Sequence, residues 1–429
     1  MKKISIEYIK SHDLVRHNLI FFFGSLFIAI FNYLYYPIVG RMVSVSDFGQ
    51  IQAIISIFMQ LGILLTAFGY VVTNIINNEK SRDSSKIVIL NLERLTLMIA
   101  GVVLVLLCLS GYFLRSSLQF TSALPFILVG LLVILNVPSA SRTYILQGLK
   151  RLKEVSLSGI LFASGKLILS VMLIKAGFSV VAVMVAYILA QMLTLLYLQR
   201  KTKNDFPGIR ESIKFIQLNP PTASQKIVIK KELIYGGAII VLLFSVTLLY
   251  SFDVVVARLF LSPENAGAYS GISAIARIVY FVTASVAGVL IATVKLNEGY
   301  EKSRKILIKS FGIVTLIGGL VALFFAVLPD LSVKILLGSN YVHVAYLLPI
   351  TSLMMLICSF NNLLVCFQIA RRKYRAIFAT LLGLVVLIML LAFRHNGFYD
   401  IITGYLISNI VTFAVLFVQI LKKGTTNDL

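Results

Sequence analysis

Six ionisable side chains stand inside long apolar runs: Glu93, Arg94, Arg142, Lys166, Asp253 and Arg277. No spacing in the chain supports covalent chemistry. His12, His17, His343 and His395 are scattered near the ends of apolar runs and build neither a nucleophilic arrangement nor a zinc site. Cys108, Cys358 and Cys366 all lie within apolar runs, where small buried hydrophobes are expected rather than disulfides or metal ligands. The expectation is therefore a protein that is not an enzyme and has no metal or other resident cofactor. What the six charges can do is hold ions. Arg and Lys donate charge-assisted hydrogen bonds to carboxylate and phosphate oxygens, while carboxylates hold protons, sodium ions or cationic ligands.

The surroundings make these charges expensive. The chain has 429 residues, of which 59% are hydrophobic and only 13% charged. A soluble domain carries about 25% charged residues, so lipid must serve as solvent for most of this surface. Apolar runs of helical-span length recur throughout, as in "FGIVTLIGGLVALFFAVL" (311–328) and "AIFATLLGLVVLIMLLAF" (376–393). Twelve membrane helices are expected, near 17–39, 49–76, 87–113, 122–146, 155–175, 178–199, 233–256, 267–294, 306–328, 343–369, 376–393 and 398–420. The first is read as a retained span, because no small-residue cleavage site follows it.

Orientation follows from Lys and Arg. Alternate connections hold 29 of the 39 on one side and 6 on the other, with four inside spans. The basic side is cytoplasmic by the positive-inside rule, so both termini are expected there. This segregation assigns the net charge of +22 to topology and anionic lipid, not to nucleic acid. The longest connection, 200–232, is strongly basic and should contain a short surface helix with Ile209, Ile213 and Ile216 on one stripe.

The chain also repeats. "PIVGRMVSVSDFGQIQ" (37–52) answers "VVVARLFLSPENAGAYS" (254–270), placing Arg41 over Arg258 and Gly49 over Gly267. "KIVILNLERLTLM" (86–98) answers "KILIKSFGIVTLI" (305–317), and "LQGLKRLKEV" (146–155) answers "FQIARRKYRA" (367–376). Three landmarks in order share nearly one offset. The organisation expected is a six-helix lobe over 1–199, a basic linker with an amphipathic segment over 200–232, and a second six-helix lobe over 233–429. Even helix counts give both lobes one orientation and place a central cavity between them. Arg41, Gly49, Arg258 and Gly267 are read as the structural residues of the repeated turn.

Depth separates the buried charges. At about 1.5 Å of rise per residue, Lys166 and Arg277 lie near the midplane, one in each half. Arg94 and Arg142 sit close enough to the cytoplasmic end to snorkel, and are otherwise further cavity cations. Glu93 either pairs with Arg142 or Lys166 or binds a coupling ion. Asp253 either pairs with Arg258, caps a helix, or shares the coupling role. Cations at the midplane favour anionic cargo, with Arg277, Lys166, Arg142 and Arg94 as candidate contacts. Asn32, Tyr36, Asn74 and Asn361 are candidate contacts for hydroxyl groups of such a cargo, although such residues also populate bilayer interfaces.

With the turns "GRMVSVSDFGQIQA" and "DVVVARLFLSPENAGAYS" each placed between two helices of a six-helix unit, the chain resembles the polysaccharide (O-antigen type) flippases of the multidrug/oligosaccharidyl-lipid/polysaccharide exporter superfamily. That resemblance implies an all-α, two-lobed, MATE-like transporter fold. It also implies transport of an undecaprenyl-pyrophosphate-linked oligosaccharide repeat unit across a bacterial cytoplasmic membrane, by alternating access and with Na+ or H+ as coupling ion. Partners would be the lipid-linked glycan, membrane lipid, and the polymerase and chain-length proteins of a surface polysaccharide. A cation-coupled multidrug exporter is the alternative within the same fold. A membrane scaffold or a polymerase is the alternative outside it, and the short outer connections weigh against a polymerase.

Overall fold

The computed structural model describes residues 23–78, 82–207, 220–294, 299–371 and 373–421. The surface helix expected around Ile209, Ile213 and Ile216 falls outside them, as do the side chain of Asn74 and the residues before Phe23. The described chain is all-helical. Its helices are α1 (Phe23–Met42), α2 (Val45–Asn78), α3 (Arg82–Ser117), α4 (Leu124–Gly148), α5 (Leu152–Lys175), α6 (Val180–Thr202), α7 (Ala223–Ser251) and α8 (Asp253–Phe260). There follow α9 (Pro263–Thr293), α10 (Tyr300–Val327), α11 (Pro329–Leu336), a 3-10 helix (Ser339–Leu347), α12 (Leu348–Ala370), α13 (Ala376–Phe393) and α14 (Phe398–Leu421). Twelve of these segments are long and apolar enough to span a bilayer, and each corresponds to one of the twelve expected from the sequence.

Burial is inverted relative to a soluble protein. Arg142, Arg258 and Arg277 head the largest fully buried side chains, whereas Leu109, Phe113 and Phe393 stand exposed at 77%, 70% and 85%. An apolar exterior around buried arginines is stable only where the exterior faces hydrocarbon, so this is a multi-pass membrane protein.

Two compact units form, Met1–Met42 with Leu61–Gly237, and Val43–Gln60 with Ala238–Leu429. In the first, α5 packs on α6, and α4 packs on both α3 and α6. Val72, Val88, Ile89 and Ile145 form a core there that Phe206 closes. In the second, α9 and α10 pack on α12, and α12 and α13 pack on α14. The opening part of α2 belongs to this second unit.

Local chemistry sets the helix boundaries. α7 starts well before the expected 233 because Thr222 and Gln225 cap it reciprocally. The Thr222 hydroxyl accepts from the Gln225 amide at 3.4 Å, and the Gln225 side chain accepts from the Thr222 amide at 2.9 Å. This is a T-x-x-Q capping box, legible as "TASQ". The repeated turns are capped by equivalent serines. The Ser44 hydroxyl accepts from the Asp47 amide at 3.1 Å at the start of α2, and Ser262 accepts from the Asn265 amide at 3.4 Å at the start of α9. Pro263 fills the first turn of α9, where its missing N–H costs nothing.

Candidate functional site

The expected seventh helix, 233–256, is broken at Phe252, and the break creates a polar centre. In an uninterrupted helix the Ser251 carbonyl would accept from the Val255 amide. Here Val255 instead bonds the Phe252 carbonyl at 3.0 Å. The released Ser251 carbonyl accepts from the Ser56 hydroxyl and, at 2.9 Å, from Arg277 Nη2. The same nitrogen bonds Asp253 Oδ1 at 2.6 Å, with both side chains at or below 2% exposure. Asp253 Oδ2 accepts from the Tyr269 hydroxyl at 3.0 Å and from the Ser273 hydroxyl. Tyr269, Ser273 and Arg277 are spaced i, i+4, i+8, so one face of α9 supplies all three donors. Asp253 is thus partnered by Arg277 and not by Arg258. Arg258 is buried and donates from Nη1 to the Pro263 carbonyl at 3.2 Å, tying α8 to the start of α9. Burial lowers the Arg258 guanidinium from its usual range to about 10, and the nearby Asp47 carboxylate opposes that shift.

The first unit holds a second buried pair. Arg142 Nη1 meets Glu93 Oε1 at 2.6 Å and Oε2 at 2.8 Å, and Ser141 donates to Oε2 at 2.8 Å. Arg142 Nη2 also donates to the Pro207 carbonyl at 3.2 Å, and the Phe206 ring lies 5.9 Å from its guanidinium carbon. Arg142 is 1% exposed, so it does not snorkel. Arg94, one residue beyond Glu93, lies on the exposed face of α3 instead.

Lys166 is different. Its ammonium lies 4.9 Å from the ring centroid of Tyr187, 5.3 Å from Tyr35 and 5.6 Å from Phe162. Three helices, α1, α5 and α6, supply this aromatic cage, and Tyr36 packs edge-on against Tyr35. Among the described residues no carboxylate comes within 4.0 Å of the ammonium. Cation–π attraction, about 2 kcal/mol for a desolvated pair, replaces a counter-ion here. Phe162 and Lys166 are i, i+4 neighbours on α5, a spacing present in the sequence. The contributions of Tyr35 and Tyr187 come from helix packing.

The remaining candidates are dispersed. Asn32 and Tyr36 are half-buried on α1. Asn361 is buried in the second unit and donates to both the carbonyl and the side-chain oxygen of Asn409 at 3.0 Å. Asn409, absent from the sequence-derived candidates, donates onward to the Leu249 carbonyl at 3.1 Å. Arg41 is exposed. Gly49 and Gly267 lie against each other, backbone to backbone.

The fold is shared with known transporters. It is similar to an inward-facing multidrug resistance MATE family transporter of the MOP superfamily (TM-score 0.70, 14% identity, 94% of this chain and 96% of that one). It is also similar to the lipid II flippase MurJ in an inward closed conformation (TM-score 0.67, 12% identity, 94% and 88%). A third is a MOP superfamily transporter from Pyrococcus furiosus described as having a binding pocket of reversed polarity (TM-score 0.60, 14% identity, 96% and 96%). No curated protein matches the sequence. The family model described as polysaccharide biosynthesis protein matches residues 14–295, a stretch that includes both buried ion pairs and the caged lysine. The chain belongs to that family, and its fold is that of the MATE and MurJ transporters.

Proposed function

We propose that the chain moves a polyprenyl-pyrophosphate-linked oligosaccharide repeat unit across the bacterial cytoplasmic membrane, for an O-antigen, capsule or exopolysaccharide. One observation carries the reading: a buried lysine ammonium, Lys166, held on aromatic rings with no carboxylate in reach among the described residues. A desolvated cation lacking a counter-charge favours an anionic ligand. A cationic drug would meet buried carboxylates at Glu93 and Asp253 that already hold arginines. Membership of a polysaccharide biosynthesis family and a fold shared with a lipid II flippase support the same direction.

In this proposal the pyrophosphate meets Lys166, sugar hydroxyls meet Asn32 and Tyr36 on the same side of the first unit, and the polyprenyl tail stays in lipid. Arg142 and Arg277 hold helices together through Glu93 and Asp253. Transport proceeds by alternating access, with both termini cytoplasmic. A coupling proton or Na+ at Glu93 or Asp253 would have to compete with the paired arginine, which links ion binding to helix movement. The polymerase and chain-length proteins of the polymer would act on the delivered unit.

A strain lacking the gene tests the proposal. Lipid-linked repeat units should accumulate on the cytoplasmic side while surface polymer disappears. Normal polymer together with new sensitivity to cationic dyes would instead identify a cation-coupled multidrug exporter.

A further inference from the structure

A serine or threonine buried within a helix commonly donates its hydroxyl proton to the carbonyl four residues back. Ser164 does so on α5, donating to the Ile160 carbonyl at 2.7 Å. On α6, Thr194 and Thr202 donate in the same way at 2.8 and 2.9 Å. Ser170 of α5 departs from this pattern. The carbonyl open to it is that of Lys166, yet its fully buried Oγ has no hydrogen-bond partner among the described residues. The Tyr35 hydroxyl of α1, equally buried, is in the same condition. It stands beside the hydroxyls of Ser170 and Tyr187, but neither Tyr35 Oη nor Ser170 Oγ meets a partner at hydrogen-bond geometry.

Both hydroxyls adjoin the caged ammonium. Phe162, Lys166 and Ser170 are spaced i, i+4, i+8 and share one face of α5. The Tyr35 ring centroid lies 5.3 Å from Lys166 Nζ. Helices α1 and α5 thus bring a lysine ammonium and two uncommitted hydroxyls to one place in the first unit. Leaving a buried polar group without its hydrogen bond costs about 1–3 kcal/mol. The ammonium has donors only, and each hydroxyl has a donor to give. A ligand with several anionic oxygens satisfies every member of the cluster at once.

We propose that Ser170 Oγ and Tyr35 Oη, together with Lys166, form the donor set that holds the pyrophosphate of the cargo. This donor set extends the function proposed above and rests on its placing the pyrophosphate at Lys166. One ammonium cannot reach all the oxygens of two linked phosphates. Hydroxyls add donors without adding another desolvated charge to the membrane interior. Ser170 and Tyr35 are therefore specificity-determining contacts: they strengthen binding of a phosphate-bearing lipid and contribute nothing to binding of its tail.

Native mass spectrometry of the full chain in detergent tests this, with farnesyl pyrophosphate and farnesol as probes. The two share an isoprenoid tail and differ in the phosphates. Ser170→Ala and Tyr35→Phe should each weaken farnesyl pyrophosphate binding about tenfold, the loss of one hydrogen bond to a charged group. Farnesol binding should be unchanged in both. Ser164→Ala, whose hydroxyl is committed to the Ile160 carbonyl, should bind both probes like wild type. Thermal unfolding should find Ser170→Ala and Tyr35→Phe at least as stable as wild type, because each removes a buried hydroxyl that has no partner. Should Tyr35→Phe fail to fold, Ser170→Ala carries the test. Wild-type affinity for farnesyl pyrophosphate in either variant, with loss in Lys166→Gln, would overturn the proposal and leave the role of Lys166 standing. Wild-type affinity in Lys166→Gln, or equal binding of both probes by the unaltered chain, would overturn the donor set and the placing of pyrophosphate at Lys166 together.

Discussion

Gly49 and Gly267, equivalent residues of the two repeats, face each other so closely that a Cβ on Gly49 would lie 2.7 Å from the Gly267 Cα. A Cβ on Gly267 would fall still closer to the Val45 carbonyl. Each glycine lies in the first turns of its helix, a few residues beyond a capping serine. The repeated turn therefore has a packing reason at both copies: two helix starts meet backbone to backbone.

Gly267→Ala should lower stability by about 1–3 kcal/mol, the usual cost of overpacking, because the obstructing atoms are backbone. Gly49→Ala should be milder. Gly288→Ala, on the same helix as Gly267 but facing open space, should be neutral or slightly stabilising. Thermal unfolding in detergent, followed by loss of monodisperse protein, ranks the three. Equal behaviour of Gly267→Ala and Gly288→Ala would refute the packing account.

Arg277→Ala leaves Asp253 buried and charged and removes a donor from the Ser251 carbonyl. A loss of about 3–5 kcal/mol is expected from breaking such a pair. Pairing Arg277→Met with Asp253→Asn should recover part of that loss, since the uncompensated charge is gone. A double-mutant cycle read by thermal stability measures the coupling. Additive effects would show that the 2.6 Å contact contributes little.

Under the proposed function, Lys166→Gln should cut surface polymer at least about tenfold, the loss of one charge-assisted bond to the proposed pyrophosphate, while leaving stability near wild type. Lys166→Arg should retain more activity than Lys166→Gln. Tyr187→Leu, which removes the nearest ring of the cage, should give an intermediate defect worth about 1–2 kcal/mol. Lectin staining of surface polymer and quantification of accumulated lipid-linked units report both outcomes. Wild-type polymer in Lys166→Gln would remove the lysine from the transport path.

Thr222→Ala should fray the start of α7 by about 1 kcal/mol, the usual value of an N-cap. Amide hydrogen exchange at Ala223–Lys226 should accelerate, while exchange in the buried part of α7 stays unchanged. Glu at position 225 should preserve the protection, because it completes the same capping box.

The sequence by itself determined the elements: the twelve apolar segments and the repeated turn. These properties depend on hydrophobic run length, local capping and a fixed rise per residue, all of which are local. Only the tertiary structure decided which charges meet. Counting along helices placed Arg277 and Lys166 at similar depths, yet one is bound to Asp253 and the other is caged by rings. Likewise Glu93 and Arg94 are adjacent in sequence, but one is buried on Arg142 and the other is exposed. The apolar segments follow from the chain, whereas partner choice depends on rotation about the helix axis and on the register of neighbouring helices. Those two quantities are set by side-chain packing between segments far apart in sequence, where no local pattern records them.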